Sequence, residues 1–106
     1  MNQQIHQTHE TDKEGCPTGG TTTGVGIEIH WQNGSLGRGE DRKDQNGAFV
    51  EGVLSAVLGR LEYYENSKFE DIHNRVAIIK IKEALVQLEE RTKERETRQI
   101  EGTHTV

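Results

Sequence analysis

IHNRVAIIKIKEALVQLEERTKERETRQIEG, residues 72–102, decides the fold of this chain. It contains no proline, and its first glycine is its last residue, Gly102. Ile78, Ile81, Leu85 and Leu88 recur at helical spacing. Steps of four and then three lead on to Thr92 and Arg95, so a stripe that begins apolar ends polar and cationic. Arg91, Arg95 and Arg98 lie along one side of that end. A helix of about 27 residues is roughly 40 Å long, more than the rest of so small a chain can cover. It is therefore expected to bury surface against copies of itself as well as against its own neighbour. Two arginines one turn apart repel each other by roughly a few tenths of a kcal/mol. Water tolerates that cheaply, and two guanidiniums side by side can fork onto an anion.

Upstream, residues 48–65 read as a first helix, with Asn46 as its N-cap and Glu51 bringing negative charge to its first turn. Phe49, Val53, Val57, Leu61 and Tyr64 give an apolar face that Val50, Leu54 and Leu58 widen. Asn66-Ser67-Lys68 is the turn, and Asp71 can cap the second helix. So short a link makes the helices antiparallel neighbours. Before them, VGIEIHWQ at residues 25–32 alternates Val25, Ile27, Ile29 and Trp31 with Glu28, His30 and Gln32, the pattern of a half-buried strand. Asn33-Gly34 is a strong hairpin signal. The return strand must be short, since Leu36 is the one large apolar residue before Gly47.

Residues 1–24 are polar and rich in glycine and threonine. They bury too little apolar surface to offset the ordering of their backbone. The expected organisation is a disordered polar tail over residues 1–23, of which residues 1–22 are expected to be dispensable for binding, and a single domain over residues 24–106. The fold class is α+β: a short N-terminal β-ribbon, then an antiparallel two-helix hairpin assembling as a homo-oligomer.

The totals narrow the function. Thirteen basic against 18 acidic residues, net −5 over 106 residues, argues against nucleic-acid polymers and anionic membranes as partners. A lone cysteine, Cys16, excludes an intrachain disulfide and fits a reducing compartment. The start lacks the apolar core of a signal peptide, and no run is long and apolar enough to span a bilayer. The chain reads as soluble, intracellular and in want of partners. No nucleophile–base pair and no metal motif stand out: His6 and His9 lack the spacing of ligands, and an enzyme reading would rest on His104 alone. No cofactor is expected.

The polar residues of interest are Tyr64, Asn74, Lys80, Arg91, Arg95, Thr103 and His104. Each has a plain structural reading: Tyr64 ends a core face, Asn74 sits in a first turn, Lys80 is surface charge, and both arginines can pair with glutamates. Together they also hold what a phosphorylated nucleotide needs. An aromatic face stacks on a base, an amide reads a base or ribose edge, and paired guanidiniums grip phosphate oxygens. They lie at opposite ends of the long helix, so one ligand joins them only when an antiparallel copy lies alongside.

Asn74, Ala77-Ile78, Lys80, Glu83-Ala84-Leu85, Glu90-Arg91-Thr92, Arg95 and the terminal Glu101-Gly102-Thr103-His104 carry a pattern. It resembles the C-terminal hairpin shared by the Thoeris anti-defence and anti-CBASS proteins, a phage family of signal sponges. Trp31-Gln32-Asn33-Gly34 and Arg60-Leu61-Glu62 match the Thoeris type as well. The resemblance covers residues 25–106 and departs from the family in the charged loop 37–47 and at Arg75. It implies a non-enzymatic homohexamer that sequesters glycocyclic ADP-ribose, the product of TIR-domain enzymes, in the cytoplasm of the infected bacterial host. Some members also take cyclic di- or trinucleotides in separate pockets. The implied ligand-binding residues are Tyr64, Asn74, Arg91, Arg95, Thr103 and His104. The competing reading is a helical-hairpin adaptor for a protein partner.

Overall fold

The computed structural model describes residues 4–34, 40 and 43–104, with the side chains of residues 99–104 left out. Five elements follow in order: β1 (His6–Thr11), β2 (Pro17–Gly24), β3 (Ile27–His30), α1 (Val50–Glu65) and α2 (Ile72–His104). They fall into two compact units, Met1–Val50 and Glu51–Val106.

The first unit is a three-stranded antiparallel sheet in the order β1-β2-β3. Residues 6–24, expected as an unordered tail, supply two of its strands. Apolar content was the wrong measure for them. Their threonines suit the pleated backbone and pair across it through their hydroxyls: Thr8 Oγ1 lies 3.0 Å from Thr21 Oγ1 and accepts from Thr21 N at 3.0 Å. Gln7, Thr22 and Ile29 stand opposite one another across the three strands. There the Trp31 indole donates to Thr22 Oγ1 at 2.8 Å, and Thr22 donates to Gln7 Oε1 at 3.3 Å. Thr22, at 9% exposure, is the most buried of the described residues.

The turns also fall elsewhere than expected. The β1–β2 hairpin closes on Asp12, whose Oδ1 accepts from Glu14 N and Cys16 N at 2.9 and 3.0 Å. The β2–β3 hairpin closes on Val25-Gly26, where Gly26 takes φ 75°, a value costly to a residue with a side chain. Val25 therefore belongs to a turn and not to the apolar face of β3. Asn33-Gly34 opens no antiparallel return among the described residues. Instead Trp31 bridges Ala48 in parallel, with Ala48 N donating to His30 O at 2.7 Å and Gln32 N to Ala48 O at 2.9 Å. Gly47 is required there: a Cβ would meet His30 O and the Trp31 backbone at 2.6 Å. Asn46 is no helix cap. Its side chain clasps Asn33, accepting from Asn33 N at 2.8 Å and donating to Asn33 O at 3.1 Å.

The second unit is the helical hairpin. Asp71 caps α2 as expected, its Oδ1 accepting from His73 N at 2.7 Å. Glu51, Leu54, Leu58, Leu61 and Glu65 recur at helical spacing on α1, and Arg75, Ile78, Ile81, Leu85, Leu88 and Arg91 on α2. Ion pairs bracket the leucine and isoleucine seam at both ends: Glu65–Arg75 at 3.0 Å and Glu51–Arg91 at 3.4 Å. They set the helices antiparallel. Val57, expected on the inner face, is exposed, and the seam runs through Leu54 and Leu58 instead. Among the described residues no hydrophobic side chain is fully buried. α2 continues beyond Arg91 to His104, roughly 20 Å, past the beginning of α1.

Candidate ligand-binding site

The hairpin turn gathers one group of chemically able side chains. Ser67 Oγ donates to Tyr64 O at 2.6 Å and accepts from Phe69 N at 3.1 Å, closing the chain behind α1. Tyr64 is half-buried at the end of the seam. The Arg60 guanidinium lies 4.9 Å from its ring centre and 5.0 Å from that of Tyr63, and Arg60 Nε donates to Tyr64 Oη at 3.1 Å. That hydrogen bond, and attraction to the same phenol, raise the Arg60 pKa above its ordinary value. The cluster follows from spacing: residues three and four apart on a helix are neighbours, and a cation over an aromatic face is attracted by its quadrupole.

Asn74 lies in the first turn of α2, and its Nδ2 donates to Phe69 O at 3.1 Å. Glu65 is the hub between the helices. Its Oε1 accepts from Asp71 N at 2.8 Å and its Oε2 from Arg75 at 3.0 Å. The hydrogen bond from Asp71 N, aided by Arg75 and by the Asn74 amide, holds this carboxyl below the usual carboxylate range. Neither Glu65 nor Arg60 is among the site residues expected from the sequence. The signals were there: a glutamate ending a helix just before an Asp-capped one, and Arg-x-x-Tyr-Tyr on one helical side. An open groove of about 330 Å³ runs beside this hub, lined by Glu62, Glu65, Asn66, Arg75, Ile78 and Ile79.

Arg91 and Arg95 occupy the far end. Arg91 pairs with Glu51, both partly exposed, and such a pair contributes about 0–1 kcal/mol. A phosphate can replace Glu51 at little cost. Arg95 is exposed and makes no ion pair with a described residue. Lys93 between them is held by Glu89 at 3.6 Å and Glu90 at 3.8 Å, and Lys80 by Glu83 at 3.9 Å. Thr103 and His104 continue the α2 backbone, and their side chains lie outside the described residues. Tyr64 and Asn74 thus share one end of the hairpin. Asn74 and Arg91 stand roughly 25 Å apart along α2, so one copy does not bring the two groups together.

No family model matches the chain. Among curated proteins it is similar to Thoeris anti-defense 1 of Bacillus phage SBSphiJ7, at 48% identity over 59 residues. The match covers 56% of this chain and 42% of that protein, so the chain aligns with less than half the length of its relative. The resemblance to the Thoeris anti-defence family is borne out.

Proposed function

We propose that this chain is a phage anti-defence protein that binds glycocyclic ADP-ribose and withholds it from its effector without cleaving it. The 48% identity to a Thoeris anti-defence protein carries the reading. The side chains agree with it. Tyr64 offers a face to the base and Asn74 an amide to the base or ribose. Arg91 and Arg95, one helical turn apart, offer a fork to the two phosphates, with Thr103 and His104 completing the set.

The half-sites of different copies meet at a boundary between protomers. Ile72, Val76, Ile79 and Val86 form a second apolar stripe on α2, all of them exposed, and a further copy covers it in a homohexamer. The protein acts in the cytoplasm of the infected host.

Incubation with glycocyclic ADP-ribose, denaturation and recovery of the small molecule test the function. Intact ligand is expected; a chemically altered product would make the chain an enzyme. The same exposed stripe also suits a protein partner. Absence of any shift in melting temperature with glycocyclic ADP-ribose or cyclic oligonucleotides would favour that adaptor reading, since ligand at a thousand times its Kd adds about 4 kcal/mol.

A further inference from the structure

Arg60, Tyr63 and Tyr64 meet near the end of α1. The two tyrosine rings stand 6.0 Å apart, centre to centre, and are inclined by 53°. The Arg60 guanidinium lies over both, 5.0 Å from the Tyr63 centre and 4.9 Å from that of Tyr64. It makes no ion pair with a described residue, although Glu62 and Glu65 are close in sequence. Its Nε instead donates to Tyr64 Oη at 3.1 Å. A phenol carries one O–H donor and accepts at the same oxygen. With Nε–H on the acceptor side, the phenolic proton turns away from Arg60, and it has no acceptor among the described residues.

We infer that Arg60 is a positioning residue for Tyr64: its guanidinium covers one side of the ring, and its Nε–H holds the hydroxyl so that the phenolic proton is left for the ligand. A tyrosine at a surface otherwise has several rotamers to choose among. Fixing one before the ligand arrives removes an ordering cost from binding. The proton left free selects a hydrogen-bond acceptor. On a nucleotide whose base stacks on the open side of the ring, that acceptor is a ribose or phosphate oxygen at the rim of the base. The assignment rests on the proposed binding of glycocyclic ADP-ribose. It adds to that reading a residue that acts through Tyr64, and the kind of atom that the Tyr64 hydroxyl reads.

A double-mutant cycle, read by calorimetry of the full chain with glycocyclic ADP-ribose, separates acting through Tyr64 from every other role. Tyr64→Phe keeps the ring and removes the hydroxyl. Arg60→Met removes the guanidinium and keeps an unbranched side chain over the rings. Each single variant is expected to bind about tenfold more weakly than the native chain. The double variant is expected to bind about as well as Tyr64→Phe alone, because Arg60 acts through the hydroxyl. Losses that multiply, to about a hundredfold in the double variant, overturn the inference, since Arg60 would then touch the ligand itself or support the hairpin. Native affinity in either single variant overturns it as well. Failure of the native chain to bind glycocyclic ADP-ribose overturns the sponge reading and this assignment with it. Should Arg60→Met not fold, hydrogen exchange of the Arg60 Nε–H in the free native protein decides the point. Slow exchange is expected, and exchange as fast as that of an exposed arginine contradicts the held geometry.

Discussion

At the scale of single residues, Arg91 serves two masters. It closes the helical seam against Glu51, and its i+4 neighbour Arg95 repels it. Removing both charges relieves that repulsion and forfeits a weak surface pair, so the two effects nearly cancel in the free protein. Arg91→Gln with Arg95→Gln should shift unfolding by less than about 1 kcal/mol. Affinity for glycocyclic ADP-ribose should fall about a hundredfold or more, because charge-assisted hydrogen bonds contribute roughly 1.5–3 kcal/mol each. Calorimetry showing near-native affinity would leave the arginines as surface charge. Tyr64→Ala should cost less, on the order of 1–3 kcal/mol of binding for a lost stack.

Glu65 makes a prediction of its own at this scale. Its folded pKa lies below the ordinary carboxylate value of 4.5. The unfolded chain thus binds the proton more readily, and the contribution of Glu65 to stability is complete above that value. It is lost as pH falls through the lower folded value. Melting curves of the free protein taken from pH 6 downward should show this loss below about 4.5, and Glu65→Gln should flatten that part of the profile. A variant whose profile matches the native one would remove Glu65 from the hinge.

Among the elements, α2 was legible because a strong apolar period and an Asp cap point to the same helix, and the structure runs it from Ile72 to His104. β1 and β2 were not. A strand such as PTGGTTTG has no apolar alternation to read, and what orders it is pairing with strands whose register no local pattern reveals. The short return strand expected after Asn33-Gly34, around Leu36, lies outside the described residues. The candidate site was half legible. Arg91 and Arg95 stand out by spacing, whereas the Glu65 hub depends on two helix ends coming together.

The sheet unit yields an element-scale test. Thr22→Val keeps the shape of the central strand but strips the acceptor from the Trp31 indole and the donor from Gln7. The orphaned indole N–H should destabilise the unit by about 1–3 kcal/mol. Fluorescence of the lone tryptophan during denaturation reads it directly. An unchanged midpoint would mean that the hydrogen-bond chain does not hold the sheet. Truncation to Thr23, harmless to a loose tail, removes β1 and most of β2 and should abolish the cooperative change in that fluorescence.

For the whole molecule, the decisive fact is exposure. No described hydrophobic side chain is fully buried, and Ile79 and Val86 are each 54% exposed in a chain of 12.0 kDa. Surface of that kind, arranged as one stripe on a helix that outruns its neighbour, calls for a partner, and light scattering at micromolar concentration should find a particle several times the mass of one chain. A 12.0 kDa particle would sink the assembly and with it a site shared between copies. Sequestration itself is tested most directly by mixing the purified protein with glycocyclic ADP-ribose, removing free ligand, denaturing the complex and examining what is released. Chemically intact glycocyclic ADP-ribose in stoichiometric amount is expected; an empty protein or an altered nucleotide would contradict sequestration.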